Sequence, residues 1–355
     1  MQAYAPGRVE LLGNHTDYNE GVVLAAAIDR GVTVTGDLSG NSILLLQSDG
    51  PQVRHDLDYR WPEPLTTNQW ANYPLGVIRM LLEDGYEVPG FSASISSTLP
   101  TGAGLSSSAA LEVATCLLIE KLSGYSLEPM ARAKLCRRAE NEFVGVNCGL
   151  LDQASSVFGE ENAAIYLDCR AETVSTVAFP PGLALLITNS GVKHQLTGGE
   201  YNERREQCFE AARILGVKAL RDVTSEQLRQ ADMPELTRRR ALHITGENER
   251  VFAGVEDLRA GDGAAFGKLM FESHESSRTN FENSTAELDA LVEIAQTTDG
   301  VYGSRLTGGG FGGATVSLID PTKADAIIAR FTREYRQRTG IDCQTYLTAV
   351  SVGAY

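Results

Sequence analysis

The chain has 355 residues, more than one small core requires and enough for two packed domains, and its apolar content of 43% with a mean hydropathy of -0.15 describes an ordinary globular protein. There are 46 acidic against 31 basic residues, for a net charge of -15 and an isoelectric point near 4.9, which repels a phosphate backbone or an anionic membrane, so neither nucleic acid nor membrane is expected as a partner. Six scattered cysteines form no Cys-x-x-Cys pair, and there is neither a secretion signal nor a run of about 20 apolar residues, so reduced thiols in a cytoplasmic protein are expected.

The first 35 residues read as strand, loop, strand: the turn-rich run Ala5 to Gly21 is followed by apolar Val22 to Ile28 and alternating Gly31 to Thr35. Arg8, His15 and Asp17 are placed on the connecting loop, among Gly7, Gly13 and Gly21, where a rigid scaffold presents them to a ligand. Each alone would be a solvated turn residue; their density argues otherwise. Ile43 to Asp56 suggests a hairpin, and Gln69 to Asp84 a helix with Leu75, Ile78, Arg79 and Leu82 at helical spacing. Trp70 at its start either packs or borders a nucleotide base. Phe91 to Ser97 is a strand that leads into Leu99-Pro-Thr-Gly-Ala-Gly-Leu-Ser-Ser-Ser-Ala-Ala.

That loop is the chain's most informative stretch. Gly102 and Gly104 open backbone conformations closed to residues with a Cβ, and Ser106, Ser107 and Ser108 offer hydroxyls and caps to the first amides of a helix. Leu111, Ala114, Thr115, Leu118 and Leu122 predict one buried helical face, with the positive end of the helix aimed at the loop. A phosphate cradle follows. It contains no lysine, so neutralising charge must come from a metal or from elsewhere.

A further helix over 128–144 ends in Ala139-Glu-Asn-Glu-Phe-Val-Gly, followed by Asn147-Cys-Gly-Leu-Leu-Asp-Gln. Glu140 and Asp152 can thereby approach one point, one carboxylate for a metal and the other for a proton; on spacing alone each is equally a helix charge. Strands are predicted over 163–168 and 174–179, with Pro180-Pro181 as a domain boundary. Beyond it come a strand at 183–188, a helix over 200–215 carrying Tyr201, and helical stretches at 225–254, 264–280 and 284–297; Arg238 to Arg240 reads as a solvated basic face. Five glycines between Gly308 and Gly313, framed by strand-like segments, imply close approach of the backbone to a ligand or to the first domain. No spaced Gly-x-Gly-x-x-Gly precedes an acidic residue as a dinucleotide site requires.

Together these segments resemble the GHMP family of small-metabolite kinases. Pro100 to Ala110 is similar to its phosphate loop and Gly308 to Gly313 to its third motif, and within the family Gly7-Arg-Val-Glu-Leu-Leu-Gly-Asn-His-Thr-Asp-Tyr-Asn-Glu-Gly, Trp70-Ala-Asn-Tyr and Cys148-Gly-Leu-Leu-Asp-Gln resemble the galactokinase branch. The resemblance spans nearly the whole chain. It implies an α/β (α+β) two-domain fold, residues 1–180 of the ribosomal-protein-S5-like type and 181–355 ferredoxin-like, with the site between them. It also implies ATP-dependent phosphorylation of the anomeric hydroxyl of galactose by a cytoplasmic monomer that uses ATP and Mg2+. Asp152 would be the carboxylate that takes or orients the hydroxyl proton, and Arg8 its partner. Asn14, His15, Asp17, Gly149 and Tyr201 would contact sugar; Trp70, Gly102, Gly104, Leu105, Ser106, Ser107, Ser108 and Ala109 would bind ATP; Ser108 and Glu140 would be magnesium ligands.

The chain departs from the branch at Asn14, where galactokinases usually carry a glutamate that accepts a hydrogen bond from the sugar's carbon-6 hydroxyl, at Lys193 in place of arginine, and at Thr279-Asn280 in place of an acidic pair. Loss of the carboxylate predicts weaker preference for galactose over carbon-6 variants such as galacturonate, with Asn14→Glu shifting it back. Alternatively, Asn14 bonds the same hydroxyl and specificity is unchanged. From another class, the chain could be a galactokinase-like sugar sensor without chemistry.

Overall fold

A computed structural model describes residues 1–48, 52–58, 61–100, 102–192 and 199–355; Lys193 and Thr101 lie outside them. In chain order the first half holds β1 (Gln2–Leu12), β2 (Val22–Leu38), β3 (Ile43–Gln47), β4 (Val53–Asp56), α1 (Asn72–Glu83), β5 (Phe91–Ser97), α2 (Ser107–Ser123), α3 (Pro129–Arg138), α4 (Leu151–Phe158), β6 (Ala163–Asp168) and β7 (Thr173–Ala178). These strands form a seven-stranded sheet in the order β4-β3-β5-β2-β6-β7, with β1 pairing antiparallel to the long central strand β2. The second half holds β8 (Ala184–Asn189), α5 (Gly199–Leu215), α6 (Ser225–Gln230), α7 (Glu235–Arg259), α8 (Gly263–Ser276), α9 (Ala286–Gln296), β9 (Val301–Thr307), β10 (Ala314–Ile319), α10 (Ala324–Thr339) and β11 (Gln344–Thr348). Its strands form a second sheet in the order β11-β8-β10-β9. This is the mixed α/β arrangement of two helix-covered sheets that the sequence predicts.

No individual element was predicted after Ile319, yet the signal was present: Ile327, Phe331 and Tyr335 recur every fourth residue along α10 and are buried against Leu291, Ile294 and Ile319. The main core runs through both halves, from Leu11, Leu24 and Ile28 of the first sheet to Ile187, Val316 and Leu318 of the second. The sheets are therefore joined by packing as well as by chain.

Three expectations are corrected. Arg8 lies within β1 and not on the loop: the chain stays paired with β2 through a bulge between Pro6 and Arg8, and Gly7 is packed so tightly that a Cβ there would stand 2.6 Å from the Leu105 carbonyl. Helix α2 buries every residue from Ala109 to Glu120 and not one face, because the sheet lies on one side of it and α1, α3 and α4 on the other. Its buried Glu120 is held by Arg132, with Nε and Nη2 each donating over 2.7 Å. Finally, Arg238 to Arg240 is no solvated face. Arg240 is 2% exposed and donates to Gln207, to the Asn280 carbonyl and to Glu282, while Arg239 reaches Thr279 and Glu282. All six cysteines are free.

Candidate active site

The loop between β5 and α2 has the backbone its glycines predict, with φ of 74° at Gly102 and 68° at Gly104. Ser106 adopts the left-handed region as well, at 57°, and precedes α2 without capping it through its side chain. Its Oγ is buried and has no partner among the described residues. The expected serine cap is thus corrected: Ser106 makes no side-chain hydrogen bond to the first helix amides, which stay available to an anion. Gly102, Gly104 and Ser107 are exposed, whereas Leu105 and Ala109 are buried in the core and present only backbone. Glycines 308 to 313, in the turn between β9 and β10, lie against this loop; a Cβ on Gly308 would stand 3.2 Å from the Gly104 carbonyl. Close backbone approach between the halves is what the glycine run provides.

Arg8 joins the loop to the catalytic candidate. Its Nε and Nη2 donate to Asp152 Oδ1 over 2.9 and 2.7 Å, and Nη1 donates to the Gly104 carbonyl over 2.7 Å. Arg8 is 5% exposed, so the planar fork fixes both partners in a water-poor setting. Asp152 lies in the first turn of α4.

Helix α3 continues into a π-helical turn, Ala139–Val144, that carries Glu140. Glu140 is buried and hydrogen-bonded by Ser108 and by Gln153, whose Nε2 donates to Glu140 Oε2 over 2.7 Å and to Glu112 Oε2 over 3.1 Å. Burial first, and the nearby Asp152 charge second, push the Glu140 carboxyl up to about 6; Glu112 is raised well above its ordinary value by burial and then by Glu140. Glu112 and Gln153 were not singled out from the sequence. The signal was there, since Glu112 stands four residues after Ser108 on one helix and Gln153 adjoins Asp152. The donor set suits a divalent cation: a hydroxyl and a carboxylate as hard oxygen ligands, beside a buried Glu112 Oε1 that has no partner among the described residues.

The remaining candidates gather on the other side of Asp152. The Asp17 carboxylate occupies the space a Cβ on Gly149 would fill, at 1.9 Å, which explains the glycine there. Burial, then the charges of Glu10 and Asp152, raise its carboxyl to about 6. His15 takes φ of 60°; its Nε2 meets the Gly309 carbonyl at 3.0 Å, an acceptor only, so Nε2 carries the proton and Nδ1 accepts from Tyr18 at 2.8 Å. Burial lowers its pKa to about 4, so the ring is neutral. Its ring lies 5.1 Å from that of Tyr201, which borders Gly309. Asn14 is 1% exposed and engaged with Glu10, Gly308 and Asn283. Trp70 packs on the main core beside α1 with its indole Nε1 buried and unpartnered among the described residues.

Comparison with known proteins places the chain in a family. Residues 1–37 match the galactokinase galactose-binding signature, 72–160 the GHMP kinases N terminal domain and 255–337 the GHMP kinases C terminal domain. The chain is 44% identical to galactokinase of Bos taurus over 341 residues, covering 93% of this chain and 86% of that protein. It is 43% identical to galactokinase of Homo sapiens over 361 residues, covering 99% and 90%. The chain belongs to the galactokinase family of GHMP kinases. Its fold superposes on Lactococcus lactis galactokinase, solved with galactose, with a TM-score of 0.94 at 32% identity, covering 100% of this chain and 94% of that one. Mevalonate kinase of Methanococcus jannaschii, at 19% identity and a TM-score of 0.74, shares the fold. This kinase has, among the described residues, no helix long and apolar enough to cross a membrane.

Proposed function

We propose that this kinase transfers the γ-phosphoryl group of ATP to the anomeric hydroxyl of galactose, working as a monomer in the cytoplasm. The observation that carries the reading is the Arg8 fork, which ties the Asp152 carboxylate to the Gly104 carbonyl of the phosphate loop and so sets a proton acceptor at a fixed distance from the phosphates. Asp152 accepts or orients the hydroxyl proton, and Arg8 holds that carboxylate in place and faces the charge that builds on the transferring group. The backbone amides at the start of α2 and the Ser106 hydroxyl hold the phosphates. Ser108 and Glu140 would hold Mg2+, which when bound supplies the charge neutralisation that a loop without lysine lacks. Asp17 and the neutral His15, with Tyr201 and the Gly149 backbone, bind and orient the sugar, and Trp70 lies on the adenine side. Two domains meet near Pro180-Pro181, so that the site closes between them.

Release of ADP from the purified protein, coupled to a reporter enzyme and measured with galactose present and absent, tests the reading. Galactose-dependent turnover is expected. Binding of galactose and ATP without turnover would establish a sensor instead.

A further inference from the structure

Asn14 stands where the resemblance puts a glutamate, yet its surroundings are not those of a lost charge. Its Nδ2 donates to Glu10 Oε1 and to the Gly308 carbonyl, each over 2.8 Å, and its Oδ1 accepts from Asn283 Nδ2 over 2.9 Å. Two acceptors on one side and a donor on the other leave only one orientation for the amide. Glu10 is 4% exposed, and the same Oε1 accepts from Nη1 of the fully buried Arg305 over 2.9 Å. Between Arg8 and Glu10 strand β1 keeps its register, so alternation sets Glu10 on the same face as the catalytic pair. The Glu10 charge is also felt at Asp17. A carboxyl group therefore does stand at this end of the sugar subsite, four residues before the position where the resemblance puts it.

We propose that Glu10 is a specificity-determining residue of this kinase: bonded to Asn14 and Arg305, its carboxyl is the fixed acceptor beneath the sugar subsite and occupies the buried Arg305 cation there, so the subsite takes a neutral sugar and rejects a sugar acid, whose charge would go uncompensated. The inference rests on the sugar-kinase reading above. It reverses the expectation drawn from Asn14 alone, because a carboxylate introduced at 14 would lie within hydrogen-bond distance of Glu10 with no proton between them, and two like charges at that spacing cannot both stay ionised cheaply. Position 14 is an amide because position 10 is an acid. Either can carry the charge, provided that only one does.

The experiment is a double-mutant cycle of Asn14→Glu, Glu10→Gln and the two combined, read by thermal unfolding without ligands and by kcat/KM for galactose and galacturonate. Asn14→Glu alone is expected to lower galactose kcat/KM by at least about tenfold, and the double variant to return it to within about threefold of wild type. Glu10→Gln is expected to reduce discrimination between galactose and galacturonate by about tenfold or more, a ratio that a purely structural role would not move. Failure of the double variant to rescue, seen as lost folding or as lost activity, overturns the proposal, as does an unchanged galactose to galacturonate ratio in a folded Glu10→Gln protein. A wild-type protein that turns over neither sugar overturns the kinase reading instead, and the unfolding arm of the cycle then still decides whether positions 10 and 14 share one charge.

Discussion

Asp17 presses its carboxylate against Gly149, and the free energy stored there can be released by one substitution. Burial and the neighbouring charges of Glu10 and Asp152 raise its pKa from the ordinary 3.8 to about 6. At about 1.4 kcal/mol per pH unit, ionised Asp17 costs the folded protein at most about 3 kcal/mol, and partial contact with solvent reduces this to about 1–2 kcal/mol. Because the folded-state value lies above the unfolded one, folding takes up a proton between about pH 4 and 6, so the cost is present above pH 6 and vanishes toward pH 4. Asp17→Asn removes the charge and keeps an oxygen to accept the Tyr18 amide. The variant is expected to be more stable than wild type by about 1–2 kcal/mol at pH 7.5, a rise in Tm of about 1–3 °C for a chain of this length, with no gain at pH 4. Its kcat/KM for galactose is expected to fall by about a hundredfold as charge-assisted hydrogen bonds to the sugar are lost. Unfolding curves at the two pH values, beside the ADP-release assay, decide it. A variant less stable than wild type at pH 7.5, or one whose gain persists at pH 4, would refute the electrostatic argument.

Asp152→Asn leaves Arg8 an oxygen to donate to, so the fold should hold while kcat falls by about 10²- to 10⁴-fold and galactose still binds by calorimetry; near-normal turnover would remove Asp152 from the reaction. Glu140→Gln is expected to raise the magnesium concentration for half-maximal rate by about 10- to 100-fold, and superimposable magnesium titrations would rule out its assignment as a ligand. Arg240→Met should lower unfolding stability by about 1–3 kcal/mol, since it strips hydrogen bonds from the Asn280 carbonyl and Gln207 while exposed Glu282 is resolvated; a change under about 0.5 kcal/mol would return Arg240 to the solvated face its sequence suggested.

Some of this protein is determined locally and so is written in its sequence. The phosphate loop is one such part: glycines at 102 and 104 permit positive φ, the serines lead straight into a helix, and neither property waits on distant residues. The strand and helix periods between residues 43 and 319 likewise predict nearly every element within a few residues. What depends on partners far along the chain was not legible. Arg238 to Arg240 looks solvated until the turn at 279–282 folds over it, and α2 looks one-sided until three other helices cover its outer face. The approach of Glu140 and Asp152 follows from their spacing, but the Gln153 amide that ties Glu140 to Glu112 appears only where the π-helical turn meets the start of α4. Asn14 shows the difference most sharply. Read alone, it is a missing charge; in the fold it is an amide held between Glu10, four residues away, and Gly308 and Asn283 from the other half of the chain. A sequence specifies which groups are present, but the electrostatics of a buried group belongs to its neighbours, and only the tertiary structure chooses them.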